Sequence, residues 1–142
     1  MASLRERVES EYEAVEEILR TLPQSSHLPE LSVLELAGVA ALLHNFYNAI
    51  ENILKQVFNV ECLPIVDGPA WHRDLLMVAL ERGILSGTAV ESLRRFLAFR
   101  HFFSHGYALD LDPQRMEPLV ADATATFAAV KEDMDSLPGM RD

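Results

Sequence analysis

The chain is expected to fold as an all-α antiparallel helical bundle, four main helices with a short one added, in one domain spanning 1–142. Three observations predict this. Apolar residues recur at intervals of three and four through most of the sequence. No segment alternates apolar and polar residues convincingly enough to read as a strand. Breaks rich in proline, glycine or Asp-Gly and Asp-Pro pairs separate the periodic stretches, as at Pro23, Asp67-Gly68, Gly83 and Asp112-Pro113.

The elements follow in order. Leu4, Val8, Tyr12, Val15, Leu19 and Leu22 draw one apolar stripe opposite a Glu-rich face, and Pro23 ends this first helix. A second and longest helix is read from about Pro29, a residue suited to a first helical position, to Phe58. It is apolar on more than one side early on, then turns Phe46, Ile50, Ile53 and Val57 inward, as a central helix would. NVECLPIVDGP is a loop, and a third helix runs from Trp71 to Arg82, stopped by Gly83. A fourth opens near SGTAVES, carries Val90, Leu93, Phe96 and Leu97 toward Arg100, and can be closed by Gly106. Pro113 starts the fifth, with Met116, Leu119, Ala123, Phe127, Val130, Met134 and Leu137 on one stripe; residues 138–142 read as a frayed tail.

Composition narrows the function. The net charge of −10 argues against broad binding to nucleic acid or anionic lipid, so any nucleic-acid site must be a local cleft. Cys62 is the lone cysteine, which excludes an intramolecular disulfide and a cysteine-based metal site. The charged N-terminus is unlike a signal peptide, and no uninterrupted apolar run approaches the roughly 20 residues of a membrane span. A cytoplasmic protein with no membrane partner is the expectation. No histidine has a glutamate three residues before it, and HExxH, GxxxxGK[ST] and GxGxxG are absent, so no metal or cofactor is expected.

What remains is RHFFSHGY, residues 100–107. From Ser92 to Leu109 there is no Asp or Glu, while Arg94, Arg95 and Arg100 lie inside. An always-charged guanidinium that matches phosphate oxygens and an imidazole that moves protons near neutral pH form a minimal kit for metal-free RNA cleavage. The ribose 2′-OH attacks the adjacent phosphorus, histidine shuttles the proton, and arginine stabilises the phosphorane, leaving a 2′,3′-cyclic phosphate and a 5′-hydroxyl. On spacing alone Arg100 and His105 could equally be surface groups favoured by the helix C-terminus. Five positions along a regular helix turn by about 500°, so these side chains point about 140° apart, with about 7.5 Å of rise between them. They converge only if the helix ends near Ser104 and Gly106 lets His105 swing off axis, or if two copies meet across a two-fold and pool their residues.

Other residues carry open readings. Phe96, Phe99, Phe102 and Phe103 suit core or dimer contacts better than base stacking. Asn45, Asn48, Glu51 and Asn52 form a polar patch on the apolar second helix: a buried interhelical network, a solvated face, or a site where Glu51 orients Arg100 or His105. Asp110 and Asp112 read as solvated loop residues, or as acids that repel RNA beside the cleft or aid a partner's magnesium. Trp71 is a packing anchor, His72 beside it reads as an ordinary helix-opening residue more than as a site residue, and His27 and His44 have no partner legible in the sequence.

Arg100, four residues, His105, one residue, then Tyr107 resembles the signature of HEPN-domain toxins of the HepT type, in which a polar residue often follows the arginine, as His101 does here. The resemblance runs from the long second helix to the last. It implies an all-α homodimer whose two motifs line one cleft, and a metal-independent endoribonuclease with Arg100 and His105 catalytic and His101 supporting. It also implies a partner antitoxin, a minimal MntA-like nucleotidyltransferase that transfers AMP from ATP onto Tyr107. The added negative charge would repel RNA at the cleft mouth. The alternative is a silent HEPN-type module that dimerises and binds a nucleotidyltransferase or other partner without cutting.

Overall fold

The structure, a computed structural model, describes residues 2–63, 70–106 and 110–141. Its α-helices are α1 (Leu4–Thr21), α2 (Val33–Val60), α3 (Trp71–Glu81), α4 (Gly87–His105) and α5 (Pro113–Asp135), with 3₁₀ turns at Ser25–Glu30 and Pro138–Met140. The described residues contain no strand, so the chain is all-α, with α3 as the short helix.

The helix ends follow side-chain capping. Ser3 accepts a hydrogen bond from the Glu6 amide at 3.2 Å and opens α1. α2 starts four residues later than Pro29 suggests, because Ser32 and Glu35 form a reciprocal capping box, with bonds of 3.1 and 3.0 Å, and Pro29 belongs to the separate 3₁₀ turn. Gly83 follows α3 at φ +70°, the left-handed region in which a side chain is strained. Ser86 caps α4 and its amide donates to Asp133 Oδ2 at 2.8 Å, tying the start of α4 to α5. Asp112 caps α5 by accepting from the Gln114 amide at 2.9 Å, which gives this acid a structural task.

α2 is the centre of the bundle and packs against α1, α4 and α5, while α3 rests on α4. Phe46, Ile50, Ile53 and Val57 are fully buried, as the periodicity predicts, and the Phe46 ring meets Phe96 of α4 at 5.0 Å. Val8 and Val15 of α1 and Met116, Ala123, Val130 and Met134 of α5 complete the same core. Leu97 is only partly buried, because it turns toward the α3–α4 cleft. The last turn does not fray: Met140 is buried and its carbonyl accepts a hydrogen bond from the Arg5 guanidinium. Among the described residues α2 reaches the length and mean hydropathy of a membrane span, unlike the expectation drawn from uninterrupted apolar runs. In this bundle neighbouring helices cover the middle of α2 from Leu36 to Phe58, while Val33, Leu34 and Val60 at its ends stay exposed, and the helix carries the buried Glu51.

Candidate functional site

The site begins with a stripe on α2. His44, Tyr47, Asn48 and Glu51 stand at i, i+3, i+4 and i+7, so they share one helical face over two turns. Each of the two last side chains grips a neighbouring helix. Asn48 Oδ1 accepts from Arg100 Nε of α4 at 2.9 Å, and Glu51 Oε2 meets His72 Nδ1 of α3 at 2.7 Å. A carboxylate is an acceptor only, so His72 carries its proton on Nδ1, which leaves Nε2 on the far side of the ring. Arg100 commits one N–H to Asn48 and keeps its terminal amino groups for other partners.

Between α3 and α4, His72 and Arg100 border a cleft of about 430 Å³. His72, Arg73, Arg100 and His101 line it, with Leu97 and Ala98 as its apolar part. Two guanidinium groups and two imidazoles thus border one pocket in a chain of net charge −10, a local gathering of donors that match anion oxygens.

His105 lies elsewhere. α4 ends at His105, one residue beyond Ser104, so His105 still lies on the helical path and its imidazole is not swung off axis. The Gly106 amide donates to the Phe102 carbonyl at 2.7 Å, and Gly106 sits at φ −101°, not in the left-handed region. Glycine is needed there for space, since a Cβ would lie 2.9 Å from the Phe102 carbonyl oxygen. On the regular helix Arg100 and His105 therefore point about 140° apart. His105 is exposed, and its Nδ1 donates to the His101 carbonyl at 2.9 Å, which leaves Nε2 open to solvent. Its ring lies 4.4 Å from that of His101. His101 thus borders the cleft on one side and His105 on the other.

Several expectations change in detail. Glu51 is 3% exposed and grips His72, so it orients neither Arg100 nor His105; Asn48 holds Arg100 instead. The Asn patch divides between faces: Asn45 and Asn52 border the groove toward α1, beside Glu11 and Glu17, and Asn48 lies where the two faces meet. Phe96 and Phe99 are core residues, Phe103 is partly buried, and Phe102 stays exposed over the groove between α4 and α5. Trp71 packs partly against the core, with the Lys55 ammonium 4.4 Å from its ring centre. Arg95 is engaged by Asp122 at 2.9 Å, away from the cleft. Tyr107 lies outside the described residues.

Sequence reasoning passed over His44 and His72. The spacing of His44, Tyr47, Asn48 and Glu51 was a local signal for a polar face, but the His72 contact, 21 residues away in sequence, had none. Tyr47 is fully buried, and burial followed by the charge of Glu51 pushes its phenol pKa up; that carboxylate is close enough to act through its field without a well-formed hydrogen bond to the hydroxyl. His44 packs against Phe103 with ring centres 5.4 Å apart. Burial, then the charge of Arg100, holds its pKa below the usual histidine value, with Glu51 opposing.

The depressed value has a consequence for stability. The unfolded chain binds a proton at His44 more readily than the folded one. The contribution of neutral His44 is therefore complete above the ordinary pKa of about 6.5 and is lost as pH falls toward the lower folded value. Urea midpoints at pH 7.5 and pH 5 should differ more in the wild type than in His44→Gln; equal differences would remove His44 as a source of acid sensitivity.

Residues 38–138, well over half of the chain, match a family model described as HepT-like protein. The match starts within α2, reaches the last 3₁₀ turn and includes every cleft residue named above. Neither curated proteins nor solved structures returned a match.

Proposed function

Because the chain belongs to the HepT-like family, we propose that it is the toxin of a toxin–antitoxin pair, a metal-independent endoribonuclease working in the cytoplasm as a homodimer of antiparallel HEPN-like helical bundles. The observation that carries this reading is the Arg100 guanidinium, held by Asn48 at the edge of a cationic cleft with its terminal amino groups unclaimed by that bond. There it can grip a phosphodiester and stabilise the charge of a phosphorane. His105 supplies proton transfer through its open Nε2, and His101, between the two, supports both. Since the two catalytic groups diverge on one straight helix, the cleft is completed across a two-fold, with Arg100 of one subunit facing His105 of the partner subunit. Doubling the local positive charge also offsets the acidic surface that RNA must approach.

In this reading the antitoxin is an MntA-like nucleotidyltransferase that places AMP on Tyr107. Two residues beyond His105, a phosphate adds negative charge where the RNA backbone would lie and offers Arg100 a competing anion. Incubation with that partner and ATP-Mg should add AMP-sized mass to the wild type and none to Tyr107→Phe. Equal labelling of the variant would move the acceptor elsewhere.

The divergence of Arg100 and His105 within one chain, with the net charge of −10, favours a second reading: a silent HEPN module that dimerises and binds a nucleotidyltransferase without cutting. One experiment separates the two. Purified protein in EDTA should cut RNA to fragments ending in a 2′,3′-cyclic phosphate and a 5′-hydroxyl, and leave DNA, which lacks the 2′-OH, intact. No cleavage in EDTA at any protein concentration would retire the ribonuclease reading.

A further inference from the structure

The α3–α4 cleft contains a histidine that the Arg-x4-His motif does not include. His72 borders the same cavity as Arg100 and His101, and its Nδ1 is fixed 2.7 Å from Glu51 Oε2. Glu51 is 3% exposed, while the His72 side chain keeps 20% of its surface open. A buried carboxylate behind a partly open imidazole does two things. It fixes the tautomer with Nε2 unprotonated and outward, and it stabilises the imidazolium that forms when Nε2 takes a proton. Asn48 and Glu51 sit one turn apart on α2, so one rigid helix positions both the phosphate-binding guanidinium and this imidazole. His105 has only the neutral His101 carbonyl behind its Nδ1, which fixes the tautomer but supplies no carboxylate charge to stabilise an imidazolium.

We infer that Glu51 and His72 form a general-base dyad in the Arg100 cleft, acting on the 2′-hydroxyl of a ribonucleotide whose phosphodiester is held by Arg100. The step rests on the ribonuclease reading above. His72 Nε2 removes the 2′-OH proton as the 2′-oxygen bonds to phosphorus. The bond from phosphorus to the 5′-oxygen breaks, and that oxygen takes a proton from the imidazolium of the partner subunit's His105. The cyclic phosphate and the 5′-hydroxyl leave, and solvent returns each histidine to its starting state. The two proton transfers then belong to different histidines, one supplied within the subunit and one across the two-fold. Glu51 is a positioning residue in this scheme; His72 is catalytic.

Histidine-selective NMR on the full chain tests the placement without requiring turnover. A dinucleotide with 2′-fluoro in place of the 2′-hydroxyl keeps the shape of RNA but cannot be cut. Its addition should shift the His72 and His101 ring signals, and the response should vanish in Arg100→Met. An unmoved His72 signal under saturating dinucleotide overturns the inference. In activity assays His72→Asn should lower kcat by about 10²–10⁴-fold. Glu51→Gln removes the charge that stabilises the imidazolium, so it should move the ascending limb of the pH–rate profile to lower pH, a change that a merely structural role would not produce. If wild type cuts RNA and both variants keep its rate and pH profile, the dyad is wrong and the ribonuclease reading survives. If wild type cuts nothing, the ribonuclease reading fails and takes the base role with it, whatever His72 binds.

Discussion

His105→Ala is expected to lower RNA cleavage in EDTA by about 10²–10⁴-fold, the usual contribution of a positioned acid–base group. The fold should hardly register the change. His105 is the last residue of α4 and exposed, and its described contacts are one hydrogen bond to the His101 carbonyl and a ring facing His101. A surface substitution of this kind changes stability by about 0.5 kcal/mol or less, a small share of a domain's total. Circular dichroism and light scattering should therefore report unchanged helicity and assembly beside a collapse in cleavage of a defined RNA. Because the proposed cleft draws Arg100 and His105 from different subunits, inactive Arg100→Ala and His105→Ala chains mixed together should recover part of the activity through hybrid dimers. Full activity in His105→Ala alone would remove this residue from the chemistry. Failure of the mixture to recover, despite exchange of subunits, would place both groups in one chain.

The largest loss of stability is expected from Phe46→Ala, about 3–5 kcal/mol. Phe46 is fully buried on the central helix, and its ring lies 5.0 Å from Phe96, where tilted aromatic contact adds to simple burial. Truncation leaves a cavity between two helices whose backbones are held by many other contacts, so the site cannot collapse to fill it. Against a typical total of about 5–15 kcal/mol, such a loss brings the domain near its unfolding threshold. Urea unfolding should show a lower midpoint with an unchanged slope; a loss below about 1 kcal/mol would contradict the packing described here. The site should weaken as well. Phe46 lies two residues before Asn48 and Phe96 one turn before Arg100, so this contact sets the spacing across which Asn48 holds the guanidinium.

Much of the fold is legible in the chain because helix formation and burial leave marks within a few residues. The stripes on α1, α2 and α5 identify their buried faces, and Gly83 and Pro113 mark ends where they are expected. The late start of α2 was also local information: Ser32 and Glu35 make a capping box, and Pro29 was given too much weight. The last turn was different. Met140 is buried only because α1 lies beneath it, a contact spanning almost the whole chain.

The candidate site divides along the same line. By itself the sequence determined that Arg100, His101 and His105 occupy the end of one helix in an acid-free stretch, and the HepT-type resemblance drawn from that motif agrees with the family match. Only the tertiary structure decided that Asn48 holds Arg100 across 52 residues, that Glu51 turns to His72 rather than to the motif, and that α4 keeps its helical path through His105. The physical reason is one of range. A helix and its apolar face follow from interactions three or four residues apart, whereas the partner of a polar side chain depends on how neighbouring helices rotate and pack, which their cores set jointly.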